Sequence, residues 1–221
     1  MLLYYITDRK QFPGNEDDRR LALMQRIAEA ASCDLDMILL CENDLGSRNL
    51  ESLAREAAER IRISAHTKLL IHSRTDIALA VGADGVYLDP GDPSAGDVRS
   101  ISSGIQDFMV GVACYSPSEV RLAESQGADF VTLSPIFERG VGDVALGVNA
   151  LALAALRNVP PDRRVEAGDH RVGVPIVAMG GVTAQNASAC MRAGASGIAA
   201  TRLFQLGDLR EIVSRLRADQ V

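Results

Sequence analysis

Two adjacent glycines, Gly180 and Gly181, follow a short apolar run and are well suited to bind an anion. Glycines after a buried strand allow backbone N–H groups to approach an oxyanion, because no Cβ stands in the way. Thr201 and Arg202 follow a second apolar run and would add a hydroxyl and a guanidinium. Paired glycines also form ordinary turns, and Arg202 could equally begin a helix and point into solvent. The sequence therefore predicts a phosphate site here, with a plain turn as the alternative.

Two basic side chains, His72 and Arg74, follow the apolar run at residues 68–71. His72 is a candidate ligand or proton carrier, whereas many histidines at such positions only hydrogen-bond to the backbone. Arg74 is a candidate clamp for a second anion, and an ion pair with Asp76 is the alternative. Both side chains are therefore candidate binding residues with a structural role left open.

Asp92 closes the sequence Asp89-Pro-Gly-Asp92 after the next apolar run. Carboxylates on a turn can hold Mg²⁺ with most of its waters retained, but the same four residues are typical of a simple turn. Tyr115, after the fifth run, is a candidate acid, base or stacking surface, with packing at the rim as its alternative. Ser134 follows the sixth run, and with Tyr115 it forms the pair of candidate catalytic residues.

Short apolar runs alternate with helical segments along the chain, a pattern typical of repeated βαβ units. Strands are predicted at residues 2–6, 35–40, 68–71, 85–88, 108–112, 130–133, 176–179 and 198–200. Helices are predicted at residues 17–31, 50–63, 75–81, 117–126, 149–156 and 208–217, and two more begin near Ser94 and after Thr183 as N-cap. Eight such units close most simply into one (β/α)₈ TIM barrel, so we expect residues 1–221 to form a single domain.

In a (β/α)₈ barrel the reacting residues lie at the carboxyl ends of the strands, where all the candidates above fall. Two segments interrupt the alternation of strands and helices. Residues 138–148 are rich in glycine and are predicted to form a flexible lid over the site. Residues 160–173 precede the seventh strand and are predicted to be a solvated insertion away from the site.

The composition excludes several classes of protein. The net charge is -6 and no block of Lys or Arg occurs, which argues against binding to nucleic acid. No apolar run is long enough to span a bilayer, and the first residues lack the basic region of a signal peptide, so we expect a cytoplasmic protein. The four cysteines have no metal-ligand or disulfide spacing. Only 4% of the residues are aromatic, which predicts a core of Ala, Val, Leu and Ile.

Four blocks of sequence together resemble the thiamine phosphate synthase/TenI family over nearly the whole chain. They are residues 4–8 (Tyr-Tyr-Ile-Thr-Asp), 71–92, 127–137, and 175–186 together with 193–198. The resemblance implies a TIM barrel that binds a thiazole phosphate through the glycines after strand seven and the turn after strand eight. In the synthase a pyrimidine pyrophosphate is also bound with Mg²⁺, and the thiazole nitrogen displaces pyrophosphate. The implied partner is a small phosphorylated thiazole-type ligand, and a homo-oligomeric state is left open.

The chain departs from the synthase pattern at the residues that would hold the pyrophosphate. Residues 41–43 are Cys-Glu-Asn where the synthase has Arg-Glu-Lys, so two cations are replaced. Residues 72–73 are His-Ser in place of Asn-Asp, which removes one Mg²⁺ carboxylate, while Asp92 matches the other. Arg139 lies in the loop that usually offers threonines and a lysine, and it is a candidate replacement for them.

The replaced charges predict weaker transition-state stabilisation for the synthase reaction, because electrostatic contacts usually contribute most to such catalysis. The TenI branch, in which some members tautomerise a thiazole carboxylate phosphate, keeps the phosphate site without the pyrophosphate contacts. Its histidine after strand five corresponds to Tyr115, and an unperturbed tyrosine with a pKa of about 10 is a weak base at neutral pH. Three functions stay open: a synthase, a tautomerase and a non-catalytic protein that senses a phosphate ligand.

Overall fold

The eight apolar runs form parallel strands, and the strands close into a barrel. The computed structural model describes residues 1–62, 64, 66–138, 140, 144–156 and 173–218. Each strand pairs with the next one along the chain, and the last strand pairs with the first. The predicted (β/α)₈ TIM barrel is therefore confirmed.

The strands are β1 (Leu2–Ile6), β2 (Met37–Leu40), β3 (Lys68–His72), β4 (Gly85–Leu88), β5 (Met109–Cys114), β6 (Phe130–Leu133), β7 (Ile176–Met179) and β8 (Gly197–Ala200). The helices are α1 (Glu16–Ser32), α2 (Ser47–Ile61), α3 (Thr75–Val81), α4 (Ala95–Ile101), α5 (Pro117–Ser125), α6 (Val148–Ala155), α7 (Ala187–Arg192), α8 (Arg202–Gln205) and α9 (Leu209–Ala218). A short 3₁₀ turn at Arg9–Gln11 follows β1.

Most predicted starts are met within one residue, and the larger shifts of β2 and α2 have local reasons. β2 begins at Met37 rather than at Leu35, because the N–H of Leu35 donates to the carbonyl of Ala30 at 3.3 Å and ties Leu35 to the end of α1. α2 begins three residues earlier than predicted, since the carbonyl of Gly46 already accepts the N–H of Leu50 at 3.0 Å. The sequence pattern therefore located each element, and hydrogen bonds at its ends decided the exact bounds.

The helix predicted to follow Thr183 begins later, at Ala187. The Thr183 hydroxyl accepts the N–H of Asn186 at 3.3 Å, and the Asn186 side chain accepts the N–H of Thr183 at 2.8 Å. The carbonyl of Thr183 also accepts the N–H of Ala187 at 3.1 Å. Thr183 therefore caps the turn that leads into α7, although the regular helix starts four residues further on.

The barrel interior and the layer between strands and helices form two separate cores. The outer core consists mainly of Ala, Val, Leu and Ile, as the composition predicts. Tyr4, Tyr87 and Phe130 form the centre of the interior, with ring centroids 5.6 Å (Tyr4 to Phe130) to 6.4 Å (Tyr87 to Phe130) apart. This aromatic centre was not predicted, because a composition does not reveal that the few aromatic residues share one face of the sheet.

All four cysteines are free, which agrees with their spacing in the sequence. No helix in the described part of the chain is both long enough and apolar enough to cross a membrane. The fold is therefore held by packing and hydrogen bonds without any disulfide.

The backbone of Gly111 packs against the ring of Phe130 in the neighbouring strand, and this contact leads to a first prediction. A Cβ at position 111 would overlap the edge of that ring, which Tyr4 and Tyr87 hold on its other sides. We expect Gly111→Ala to lower the free energy of unfolding by about 1–3 kcal/mol, the typical cost of overpacking a core. Urea denaturation followed by circular dichroism measures this change.

Gly104→Ala is the matched control, because no heavy atom of the described residues lies within 4 Å of a Cβ built at position 104. We expect this variant to change the free energy of unfolding by less than about 0.5 kcal/mol. Equal stabilities of the two variants would contradict the close packing of Gly111 against Phe130.

Candidate functional site

The loops that follow β7 and β8 are neighbours at the carboxyl end of the barrel, because these two strands are paired. Gly180 and Gly181 have φ angles of +86° and +65°, a region that favours glycine. A Cβ at Gly180 would lie 2.7 Å from Pro135 Cα, and one at Gly181 would lie 2.8 Å from the carbonyl oxygen of Glu138. The close approach of the loop after β6 thus requires both glycines, and their role in phosphate binding stays a prediction.

Thr201 and Arg202 form the turn from β8 into α8. The carbonyl of Thr201 accepts the N–H groups of Phe204 and Gln205, at 3.1 and 2.8 Å. Arg202 is exposed, and within the described residues its guanidinium forms no ion pair. This geometry fits the alternative of an exposed helix start, and the contact of Arg202 with a ligand stays a prediction.

A buried arginine, Arg9, lies after β1 and was not among the residues predicted from the sequence. Its side chain is 4% exposed, and Nη1 lies 2.9 Å from Glu42 Oε2, which is 2% exposed. The guanidinium also donates to both carboxylate oxygens of Asp44, at 2.7 and 2.8 Å, and Nε donates to Glu16 at 2.6 Å. Only the position of Arg9, three residues after the end of β1, could have indicated it, since its partners lie 7 to 35 residues away.

This ion-pair network shifts the pKa of each member. Hydrogen bonds from Arg9 hold the pKa of the Asp44 carboxyl well below its ordinary value. The bond to Asp44 is likewise the main reason why the pKa of Arg9 is raised. Burial raises the pKa of Glu42, although hydrogen bonds from Arg9 and Thr7 oppose that shift. Arg9 is therefore a neutralised cation whose charge is shared among three carboxylates.

Arg74, predicted as a possible anion clamp, forms an ion pair instead. Its Nη2 lies 2.6 Å from one carboxylate oxygen of Asp76, and its Nε lies 2.9 Å from the other. Nη1 also donates to the Ser47 hydroxyl at 3.1 Å. The structure thus places Arg74 in the alternative arrangement, a fork-shaped pair with Asp76, and its contact with a ligand stays a prediction.

His72 lies at the mouth of the barrel, which is the end where the carboxyl ends of the strands meet. Its imidazole hydrogen-bonds to side chains rather than to the backbone. Its Nε2 lies 2.9 Å from Asp89 Oδ2, and its Nδ1 lies 2.7 Å from Asn43 Oδ1. The imidazole is 7% exposed and stacks on the ring of Tyr87, with a centroid separation of 5.9 Å. The sequence placed His72 at the end of a strand, but it did not reveal these two partners.

Asp92 is part of a hydrogen-bonded turn. Its N–H donates to the carbonyl of Asp89 at 3.1 Å, and its carboxylate accepts the N–H of Asp89 at 2.8 Å and the Ser73 hydroxyl at 2.6 Å. The turn interpretation of this sequence is therefore confirmed. No cluster of three or more His, Cys, Asp or Glu side chains in the described ranges is arranged to hold a metal ion.

The two candidate catalytic residues differ in exposure. Ser134 is 2% exposed and lies beside the loop after β7, since a Cβ at Gly180 would be 3.2 Å from the Ser134 hydroxyl. Tyr115 is 44% exposed, and its N–H donates to Glu119 at 2.7 Å. Ser134 is therefore close to the predicted phosphate site, whereas Tyr115 lies on the rim after β5.

The pKa of the Cys41 thiol shows which charges surround the part of the mouth next to β2. Burial raises the pKa of its thiol to about 12, and Glu42, Asp89 and Asp8 add to the shift in that order. Carboxylates that follow β1, β2 and β4 therefore all raise the pKa of this one thiol. A negative charge would be disfavoured in this region of the mouth.

Three predictions concern residues on which the structure gives no description. Arg139 lies outside the described residues, as do residues 141–143 of the predicted lid. Residues 157–172, which include most of the predicted insertion, are outside them as well. These predictions stand as they were made from the sequence.

Comparison with known proteins identifies relatives along almost the whole chain. The family model for thiamine monophosphate synthase matches residues 3–204. A thiamine-phosphate synthase from Methanoculleus marisnigri is 34% identical over 197 residues, covering 89% of this chain and 84% of that protein. A thiamine-phosphate synthase from Caldanaerobacter subterraneus is 31% identical over 208 residues, covering 94% of this chain and 87% of its own.

Solved structures share the same fold. A thiamine phosphate pyrophosphorylase from Pyrococcus furiosus superposes with a TM-score of 0.77 at 25% identity, covering 99% of this chain and 94% of that one. A 3-hexulose-6-phosphate synthase has a TM-score of 0.70 at 17% identity, with complete coverage of both chains. The second likeness shows the barrel fold alone.

The buried Arg9 network leads to a prediction about stability. Removing the guanidinium would leave Glu42 charged and buried without its partner. We expect Arg9→Met to lower the free energy of unfolding by about 3–5 kcal/mol, as is usual when one member of a buried ion pair is removed.

Arg55→Met is the matched control, because Arg55 pairs with Glu51 on the surface, with exposures of 55% and 42%. We expect Arg55→Met to change the free energy of unfolding by at most about 0.5 kcal/mol. Similar urea midpoints for both variants would contradict this role of Arg9.

Asp44 should make stability depend on pH in the acid range. Its pKa is lowered in the folded state, so its contribution is present above the unfolded value, about 3.9, and is lost as the pH falls towards the folded value. We expect the stability difference between the wild type and Asp44→Asn to be largest near neutral pH and to shrink below about pH 4. Urea denaturation at several pH values measures it, and a difference that stays constant down to pH 2.5 would contradict the expectation.

Proposed function

The chain belongs to the thiamine monophosphate synthase family, and on that premise we propose that it binds a phosphorylated thiazole at the mouth of the barrel. In this proposal the phosphate lies on the loops after β7 and β8. Gly180 and Gly181 supply backbone N–H groups, Thr201 supplies a hydroxyl, and Arg202 supplies the cation. The two loops are neighbours because their strands are paired.

One observation carries this proposal: the basic side chains at the mouth differ in whether they are already paired. Arg9 and Arg74 are held by carboxylates of this chain. Arg202 has no ion pair within the described residues and begins α8, one residue after the turn residue Thr201. A phosphate beside Arg202 therefore gains a charge-assisted hydrogen bond without breaking an existing one.

The family reaction joins the thiazole to a pyrimidine pyrophosphate. The thiazole nitrogen forms a bond to the methylene carbon of the pyrimidine as the carbon–oxygen bond to pyrophosphate breaks, so pyrophosphate leaves with the electron pair. The leaving group gains negative charge in the transition state and needs cations close to it. In this chain a leaving group near β2 and β3 would meet paired arginines and the carboxylates of Asp89 and Asp92, so we propose that the ancestral condensation is slow here.

A magnesium ion is a further part of the proposal. Asp92 is the residue that would contact it, with the remaining positions filled by water and by oxygens of the ligand, as is usual for this ion. The Asp92 carboxylate already accepts two hydrogen bonds from Ser73 and Asp89, so it would serve as a single, oriented ligand. When bound, the ion would neutralise charge on a diphosphate.

Two other functions remain as alternatives. A tautomerase is favoured by His72, because a histidine oriented by a carboxylate is a common proton-transfer group. A non-catalytic protein that senses the phosphate would need the phosphate site alone. Mixing the protein with Mg²⁺, thiazole phosphate and pyrimidine pyrophosphate, and measuring thiamine phosphate, separates the synthase from both. Tight binding of thiazole phosphate without product would rule out the synthase.

Arg202 provides the direct test of the phosphate site. We expect Arg202→Gln to raise the Kd for thiazole phosphate about tenfold, which corresponds to about 1.4 kcal/mol and lies near the low end for a hydrogen bond to a charged group. Isothermal titration calorimetry measures the Kd. Arg210→Gln in α9 is the matched control, because Arg210 is an exposed arginine outside the loops of the site, and its Kd should equal that of the wild type. An unchanged Kd for Arg202→Gln, or no binding by the wild type, would overturn the proposal.

A further inference from the structure

The side chain of Gln205 extends the contact between β8 and β1 beyond the paired residues of the two strands. Backbone pairing of these strands reaches Tyr5 and Ala200. Further along β1, the Gln205 amide bonds to both backbone groups of Asp8: Oε1 accepts the N–H at 3.0 Å, and Nε2 donates to the carbonyl at 2.7 Å. A side chain of α8 thus satisfies the main chain that follows β1.

Three hydrogen bonds fix the orientation of this amide. The Asp8 N–H can only donate and the Asp8 carbonyl can only accept, so Oε1 and Nε2 cannot exchange places. The buried Tyr5 hydroxyl also donates to Oε1, at 2.9 Å. Burial raises the pKa of Tyr5, so its hydroxyl keeps the proton that this bond requires. Since Gln205 is 1% exposed, loss of the amide would leave buried polar groups unpaired.

The backbone of Gln205 is held from the opposite side by Arg26 in α1. Nη2 of Arg26 donates to the carbonyl of Gln205 at 2.8 Å and to that of Gly207 at 3.0 Å. A helix as short as α8 forms few hydrogen bonds of its own, so contacts with other elements determine where it lies. α8 is therefore joined to β1 through a side chain and to α1 through its main chain.

This anchored helix carries the cation of the proposed phosphate site. α8 begins at Arg202 and ends at Gln205, so about one helical turn separates the two residues. The carbonyl of Thr201 accepts the N–H of Gln205 at 2.8 Å, which ties the end of α8 to the turn after β8. A shift of α8 would therefore move Arg202 and Thr201 together.

We propose that Gln205 is a positioning residue for the phosphate: by fixing α8 against β1, it holds the backbone from which Arg202 reaches the ligand. The inference rests on the proposed binding of a phosphorylated thiazole. Gln205 is buried and acts through Arg202 and Thr201, without touching the ligand. A backbone that is already in place has less to order on binding, and that saving appears as affinity.

Gln205→Met tests this role, because it removes the amide and keeps an unbranched side chain of similar length. We expect the Kd for thiazole phosphate, measured by isothermal titration calorimetry, to rise about fivefold, within the range for residues that act on a site indirectly. In a chain that already carries Arg202→Gln, the same change should raise the Kd less than about twofold, because residues that act through one another are not additive. A merely structural role would give the same factor in both backgrounds.

Arg217→Met is the matched control, because Arg217 holds α9 at the amino end of the barrel. Its Nη2 donates to Asp36 Oδ2 at 2.7 Å and to the carbonyl of Asp34 at 3.2 Å. We expect this variant to lower the midpoint of urea denaturation and to leave the Kd unchanged, since these contacts are remote from the phosphate site.

Arg26→Met is the second variant, and it decides the question if Gln205→Met does not fold. Arg26 anchors the same helix from the surface of α1, so we expect its removal to raise the Kd about threefold. In the Arg202→Gln background we again expect almost no further rise.

The outcomes separate this inference from the proposed function. A Kd for Gln205→Met within twofold of the wild type, or an equal rise in both backgrounds, would overturn the inference alone. The same results for Arg26→Met would do so if Gln205→Met does not fold. Absence of binding by the wild type, or an unchanged Kd for Arg202→Gln, would overturn the proposed function and the inference with it.

Discussion

Closure of the barrel between its first and last strands is the constraint on which the site depends. Gly197 makes this pairing possible, because a Cβ there would overlap the backbone of Leu2. At the mouth, the buried side chain of Gln205, which is 1% exposed, connects α8 to β1. Its amide accepts the Tyr5 hydroxyl at 2.9 Å and donates to the carbonyl of Asp8 at 2.7 Å. Since closure brings all eight carboxyl ends to one rim, residues about two hundred positions apart become neighbours, and a small ligand can touch several strands at once.

The charged side chains on this rim differ between two groups of loops. The loops after β7 and β8 offer glycines and an arginine with no ion pair among the described residues. The loops after β1 to β4 hold carboxylates, and their arginines are paired. A ligand with one anionic end and one neutral ring suits both regions together, whereas a second anion would meet Asp89 and Asp92. In the proposed function, binding and specificity would therefore both follow from this distribution of charge.

Periodicity in the sequence was sufficient to predict the eight strands and the barrel, because an apolar run such as 176–179 has few other ways to be buried. The candidate residues at the strand ends followed from that topology. The hydrogen-bond partners of these residues could not be predicted in the same way, since the contacts of His72 with Asn43 and Asp89 join residues 29 and 17 positions apart. Arg9 was missed for the same reason: a surface arginine and a buried one look alike in a sequence until the fold brings Glu42 to it.

The Arg9 network also bears on the proposal that the condensation is slow in this chain. Arg9 is a buried cation that contacts Glu42 after β2, but moving it towards a diphosphate would leave Glu42 charged and buried without its cationic partner. That loss is about 3–5 kcal/mol, which is comparable with what a single charged contact contributes to a transition state. The gain and the loss would nearly cancel. In the proposed function, cations for a diphosphate would therefore have to come from side chains other than Arg9, such as Arg139, the candidate that the sequence offers in the loop after β6.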